Sequence, residues 1–251
     1  MSRALLQAVP DAYVHATVGF LADGSEPIDL DLARAQHDGV VEGMAWLGYD
    51  CTVLDADGAG PDAVFVEDPV VVHGGRVVLL RSAHPGRAGE GVRMLPVWSA
   101  WGLGAVAMTE PAFADGGDVL VVDGHAYVGI STRTNDAGAR QLGALLGLDV
   151  TPIPLPPTAL HLKCGASPLP GGRVLATRAL ADALGLPSVI VPDAEAYAAN
   201  VVARGDRVLC AAGHPCTARA LTDAGLDVRL LDLSEFRKGD GSITCLSVRE
   251  G

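Results

Sequence analysis

Residues 118–155 read D-V-L-V-V-D-G-H-A-Y-V-G-I-S-T-R-T-N-D-A-G-A-R-Q-L-G-A-L-L-G-L-D-V-T-P-I-P-L. The stretch holds one complete structural unit. D-V-L-V-V and H-A-Y-V-G-I-S are β-type runs, and the Asp-Gly between them is a strong hairpin signal. T-N-D-A-G-A-R-Q-L-G-A-L-L-G starts with Asn/Asp and places apolar residues at helical spacing. L-D-V-T-P-I-P-L then returns to a short β-type run. The unit is β-β-α-β.

The same shape recurs without close sequence repetition. Residues 63–81 read A-V-F-V-E-D-P-V-V-V, H-G-G, R-V-V-L-L-R; residues 159–180 hold A-L-H-L-K-C-G-A, a Pro/Gly turn and G-R-V-L-A-T-R-A-L; residues 197–213 read Y-A-A-N-V-V-A, R-G-D, R-V-L-C-A-A-G. Each predicts strand, turn, strand. Residues 29–48 and 215–226 predict further helices, followed by D-C-T-V-L-D-A and L-D-V-R-L-L-D-L. The β-β-α-β unit is thus seen about four times. A fifth is split: S-I-T-C-L-S-V (242–248) would pair with A-L-L-Q-A-V (4–9) or A-Y-V-H-A-T (12–17). Such pairing would close a ring and remove exposed sheet edges. An ordinary open α/β sheet is the alternative on pattern alone.

The 251 residues fit one large domain, expected to span 1–251 with the N- and C-terminal segments closing one module together. The chain is 49% hydrophobic and 19% charged, enough apolar residues for a sizeable core. A formal charge of −12 argues against a nucleic-acid partner and is compatible with a cationic small substrate. Five cysteines at irregular spacing, Cys51, Cys164, Cys210, Cys216 and Cys245, point to free thiols in a reducing compartment. No leader-like segment and no run of about 20 apolar residues is found, so a soluble cytoplasmic protein without a membrane partner is expected. Glycine-rich phosphate motifs are absent, so no nucleotide cofactor is expected.

Charged residues in buried strands are costly unless paired or used. Glu67 and Asp68 interrupt one predicted strand, Asp115 and Asp118 flank Gly116-Gly117, His161 sits in A-L-H-L-K-C, and Cys245 sits in S-I-T-C-L-S-V. Arranged about an axis, they would converge on one cavity. Carboxylates, an imidazole and a thiol are the parts of nucleophilic cysteine catalysis, and carboxylates in an apolar pocket suit a guanidinium. Taken singly, each has a plainer reading: a packed Cys, a structural His, a solvated acidic pair.

F-V-E-D-P-V-V-V, the stretch 115–142, L-H-L-K-C-G and S-E-F-R-K-G-D-G-S-I-T-C-L-S-V-R together resemble the dimethylarginine dimethylaminohydrolases of the guanidino-group-modifying superfamily. The resemblance runs from about Asp62 onward and is specific only in combination. It implies a fivefold pseudosymmetric α/β-propeller with a central active-site channel. It also implies hydrolysis of N-ω-methylated arginine to citrulline and a methylamine, without metal or organic cofactor. Carried over by motif, Cys245 is the nucleophile, His161 the acid and then the base, and Asp115 the supporting carboxylate, where relatives have Glu. Asp68, Asp62 and, with less motif support, Glu67 would contact the guanidinium side. Arg87 and Arg133 would hold the α-carboxylate. Gly239 stands where relatives often carry a larger apolar residue that lines the substrate site. The lid is expected in residues 16–27, with Phe20 or Leu21 as the lid residue.

The runner-up within this chemistry is a deiminase or amidinotransferase acting on arginine or another guanidine. Different classes are a zinc protein using Cys210, His214 and Cys216, for which no fourth ligand is evident, and a catalytically dead propeller serving as a binding module. The expected partner is a small guanidine, and a homodimer is compatible with the sequence.

Overall fold

The computed structural model describes residues 2–17 and 26–250. Unit one comprises β1 (Arg3–Gln7), α1 (Leu30–Trp46) and β2 (Asp50–Leu54); unit two β3 (Val70–His73), β4 (Arg76–Leu79), α2 (Leu95–Ala100) and β5 (Ala105–Ala107). Unit three is β6 (Val119–Val122), β7 (His125–Ile130), α3 (Asp136–Leu146) and β8 (Asp149–Pro154). Unit four is β9 (Ala166–Leu169), β10 (Arg173–Thr177), α4 (Arg178–Leu184) and β11 (Ser188–Val191). Unit five is β12 (Val202–Arg204), β13 (Arg207–Ala211), α5 (Pro215–Asp223) and β14 (Asp227–Leu231). A short helix α6 (Ser234–Lys238) then leads to β15 (Val248–Glu250), which completes unit one.

The five sheets have three strands each, in the orders β15-β1-β2, β3-β4-β5, β6-β7-β8, β9-β10-β11 and β12-β13-β14. In every sheet the middle strand is antiparallel to the first and parallel to the third. The parallel crossover carries the helix, as parallel pairing requires. Of the two N-terminal candidates, residues 4–9 supply the strand: Leu5 lies opposite Val248 and Arg3 opposite Glu250. The other, residues 12–17, contributes a 3-10 helix, Asp11–His15.

All five first strands, β3, β6, β9, β12 and β15, line one central cavity of about 180 Å³. This is the predicted propeller, with one correction. The ring does not close through a continuous hydrogen-bond ladder, because each unit is a separate sheet that keeps its own outer parallel strand. Closure is by side-chain packing of the inner strands. The apolar core is divided accordingly, one cluster under each of α1 to α5. Trp98 of α2, for example, is fully buried with Leu5, Val77 and Val248.

The predicted first strands of three units are also shorter than their apolar runs. Glu67 and Asp68 precede β3, His161 caps a 3-10 turn (Leu162–Cys164) before β9, and Cys245 lies in a 3-10 turn (Thr244–Leu246) before β15. The reason is that chain entering the axis bends there to satisfy polar groups instead of extending. Among the described residues no helix is long and apolar enough to cross a membrane.

The unit that opened the sequence shows why its residues are what they are. Asp123 and Gly124 both have positive φ, 47° and 76°, as a two-residue primed turn needs. Asn135 caps α3, its Oδ1 accepting from Gly138 N at 2.7 Å, and Gly147 closes the helix at φ +72°. Asn135 Nδ2 donates to Pro111 O at 3.0 Å, which docks the helix start on the segment leading to Asp115. A Cβ at Gly138 would lie 2.1 Å from Phe113 O. Gly138→Ala therefore destabilises the protein by about 1–3 kcal/mol, although alanine is the better helix former. Urea unfolding checks this, and a stabilised variant would contradict the docking argument.

Candidate active site

The loops that precede the inner strands face one end of the ring, and each carries polar side chains to the axis. Their pocket, about 70 Å³, brings together Asp62, Asp68, Arg87, Arg133, His161 and Cys245, with Gly239 in its wall. Asp115 lies directly beneath, 1% exposed, with Oδ2 at 3.2 Å from His161 Nε2 and at 3.8 Å from Arg133 Nη1.

Buried Asp118 holds these loops in register. Its Oδ2 accepts from Ser131 Oγ at 2.6 Å and from Thr134 Oγ1 at 2.7 Å; its Oδ1 accepts from Leu162 N at 2.9 Å. The Thr134 hydroxyl oxygen also accepts from Asp115 N at 3.1 Å. One carboxylate thus fixes the His161 turn and the Arg133 loop directly, and Asp115 through Thr134. Burial raises its pKa, opposed by the His161 charge and these donors.

Cys245 is held through its backbone. Its carbonyl accepts from Glu67 N at 3.2 Å. The preceding Thr244 is clamped by Asn200, which accepts from Thr244 N at 2.9 Å and donates to Thr244 Oγ1 at 3.0 Å. Cys245 keeps partial exposure toward the pocket. Its thiol is held well above the ordinary range by burial first, then by the carboxylates of Asp68 and Glu67. His161 behaves oppositely. Burial disfavours its charge, but the Asp115 hydrogen bond and the charges of Asp68 and Asp118 outweigh that and raise its pKa to about 9. At neutral pH the pocket therefore holds a thiol beside an imidazolium.

The other expected residues divide. Asp68 pairs closely with Arg87 Nη1 through Oδ2, while its Oδ1 is buried without a partner. Arg87 also bonds Glu90 Oε2 at 2.8 Å and the carbonyls of Phe65 and Asp62 at 3.0 and 3.3 Å. Its fork is thus largely used within the protein. Asp62 accepts from Thr17 N at 2.9 Å and from Thr17 Oγ1 at 2.8 Å. Glu67 is not brought into this pocket. It lines the central cavity, with Oε1 accepting from Lys163 Nζ at 2.6 Å and Arg249 Nη2 at 2.9 Å. A Cβ at Gly239 would lie 2.7 Å from the Tyr13 hydroxyl, so Tyr13 occupies the space a larger residue would need. Phe20 and Leu21 lie outside the described residues.

The zinc reading fails. Among the described residues no group of three His, Cys, Asp or Glu is placed to hold a metal. Cys210 is buried against Ala211 O, Cys216 is exposed, and the His214 ring meets Tyr197 at a tilt of 43°. Sequence reasoning missed the anchoring by Asp118 and Asn200, the Thr17–Asp62 pair and the pocket position of Asp240. The last has a local signal, since its φ is +58° at a Gly-Asp-Gly turn.

The arrangement defines a five-unit α/β-propeller with a thiol, an imidazole and carboxylates at one end of its axis. The family model for N,N dimethylarginine dimethylhydrolase, eukaryotic, matches residues 20–159. The N(G),N(G)-dimethylarginine dimethylaminohydrolase of Streptomyces coelicolor is 38% identical over 89% of this chain and 88% of its own length. That of Pseudomonas aeruginosa is 34% identical over 88% and 89%. The Pseudomonas aeruginosa structure of a cysteine-to-serine mutant complexed with citrulline superposes with a TM-score of 0.91, at 30% identity, over 99% of this chain and 98% of that one. The N-terminal domain of a cyanobacterial arginine dihydrolase, 22% identical with a TM-score of 0.88 over 99% and 98%, shares the fold. The chain belongs to the dimethylarginine dimethylaminohydrolase family.

The titration of His161 gives a direct check. Its folded pKa of about 9 exceeds the ordinary 6.5. Its contribution to stability is therefore complete below about 6.5 and is lost as pH rises through about 9. NMR titration of the ring should find the raised value, and Asp115→Asn should lower it. An unchanged value in the variant would remove Asp115 as the cause.

Proposed function

We infer that the protein hydrolyses N-ω-methylated arginine to citrulline and a methylamine through a covalent intermediate on Cys245. The observation that carries this is the meeting of Cys245, His161 and the unpartnered Asp68 Oδ1 in one pocket. A buried carboxylate oxygen without a donor favours a ligand that brings N–H groups and positive charge. Guanidinium brings both. Asp68, with Asp62 behind it, takes the guanidinium. Arg133, less engaged than Arg87, takes the α-carboxylate with Arg87 bordering it.

The thiol is neutral until the cation arrives. A guanidinium beside Cys245 favours the thiolate by Coulomb attraction, and the thiol proton passes to solvent. The thiolate attacks the guanidinium carbon, and His161, already protonated, gives its proton to the leaving nitrogen. The neutral imidazole then takes a proton from water as the water oxygen attacks the thiouronium carbon. The C–S bond breaks with its electron pair on sulfur, the remaining hydroxyl proton is lost as the citrulline carbonyl forms, the thiolate regains a proton from solvent, citrulline leaves, and His161 is again an imidazolium stabilised by Asp115.

The reading of plain arginine as substrate draws on likeness of fold alone and is not favoured. We treat residues 1–251 as one catalytic unit. Every residue given a role belongs to one chain, so a homodimer would carry one complete site per copy. The free thiols fit a cytoplasmic, reducing setting.

Citrulline formation from asymmetric dimethylarginine and monomethylarginine tests the proposal. Cys245→Ser should abolish turnover while the fold is kept, and residual wild-type activity would sink the assignment. His161→Gly should cut turnover about 10²–10⁴-fold, the usual worth of general acid–base catalysis, and retain substrate binding. For the wild type, kcat/KM should fall as pH rises through about 9, where free His161 loses its proton. A profile flat across that range would exclude His161 as the acid.

A further inference from the structure

A cavity of about 340 Å³ lies between the 3-10 segment Asp193–Ala199, the junction of β13 with α5, and α6. Among the described residues it shares no lining residue with the pocket of Cys245 and His161. The reaction described above makes no use of it.

The walls of this cavity are held from behind. Gln36 of α1 accepts from Glu235 N at 3.0 Å and donates to Ser234 Oγ at 2.8 Å, which fixes the start of α6. The Tyr13 hydroxyl donates to Glu235 O at 3.2 Å. On the other side, the Tyr197 hydroxyl donates to Gly241 O at 2.9 Å, so the ring stands in a set place.

The charges along the walls are unevenly used. Arg237 lies over the Tyr197 ring, 4.9 Å from its centroid, and its five N–H donors meet no acceptor among the described residues. His214 meets the same ring at 5.9 Å. Burial lowers its pKa, Glu195 opposes that and Arg237 adds to it, so the imidazole is neutral at pH 7. Lys238 is already spent, on both oxygens of Glu235 at 2.9 Å and on Pro27 O at 3.1 Å. Glu195 is spent too, accepting from Cys216 N at 3.0 Å and from Thr217 N and Oγ1 at 2.7 Å, so the start of α5 offers no donors there. Two exposed carboxylates remain on the walls, Glu26 and Asp232. The Lys238 bond to Pro27 O brings Glu26 beside α6, and Asp232 uses only Oδ1, which accepts from Ser234 N at 3.0 Å.

The cavity is therefore dipolar. A plain anion would meet two carboxylates, and a plain cation would meet an unused guanidinium. We propose that it binds a free α-amino acid with an apolar side chain. The α-carboxylate takes the planar fork of Arg237, with the His214 imidazole beside it. The ammonium is received by Asp232 and Glu26, and the side chain lies on Leu233, Ala211 and Ala212. The site is independent of the hydrolase reading and gives the protein a second small ligand.

The test follows the histidine ring signals of the full chain by NMR, with the His214 signal assigned by its loss in His214→Gln. L-Leucine is the probe, because its side chain brings no N–H groups for Asp68. It should shift the His214 signal to saturation, with a Kd in the ~1 μM–1 mM range usual for the KM values of enzymes. Arg237→Gln and Asp232→Asn should each weaken that Kd by ~10-fold or more, the usual worth of a hydrogen bond to a charged group. Arg237 is exposed, and Asn keeps the acceptor for Ser234 N, so both variants should fold. A His214 signal that L-leucine leaves in place overturns the proposal, and so does a Kd unchanged in Arg237→Gln. Acetate or ethylammonium binding there as tightly as L-leucine also overturns it, since one charge would then suffice. The citrulline assay above bears on a different pocket, so its failure would leave this result standing.

Discussion

The site depends on one buried carboxylate that faces no substrate. Asp118 is fully buried, yet it receives two hydroxyl donors and one backbone N–H from two different loops. Leaving any of those donors unpaired in the interior would cost about 1–3 kcal/mol. The loops therefore have little freedom to drift apart. His161 and Arg133 are carried by those loops, and Asp115 is tied to the same network through Thr134. The distance between imidazole and carboxylate is thus set by a group outside the reacting set.

The propeller supplies what a single sheet does not. Five loops enter the axis from five directions, so acid, base and thiol come from segments far apart in sequence. Each unit needs only a short inner strand and one helix to bury its share of core. Ion pairs on the axis complete the arrangement. Glu67, Lys163 and Arg249 come from three separate units and meet at the loop end of the central cavity. Such buried pairs are costly to form and costly to break by halves, which makes them better at specifying which units adjoin than at stabilising the fold.

Much of this was legible from local chemistry. The Asp-Gly turn at 123–124, the Asn cap at 135 and the alternation of β-type runs with helical ones define the repeating unit without any long-range information. The position of Cys245 and His161 was legible through the likeness to a family, and their convergence was not readable from periodicity. The strands were read too long because valine and leucine continue past the point where the chain bends. Glu67 was grouped with Asp68 because they are neighbours in sequence. Adjacent residues point apart, and its partners lie 96 and 182 residues away. Gly239 looked like a loss of pocket wall, but Tyr13, more than 200 positions earlier, fills that volume.

The pairing of Leu5 with Val248 has a consequence for how the molecule reaches its native state. A chain that closes on itself pays the entropy of its largest loop in the final unit. Contacts of such separation slow folding and leave unpaired strand edges available to other chains meanwhile. The turn that carries Cys245 immediately precedes that closing strand and is tied to Glu67 in the adjacent unit. The nucleophile's turn therefore lies between the strand that closes the ring and the neighbouring units that hold it, so closure of the circuit and placement of the thiol share the same few residues.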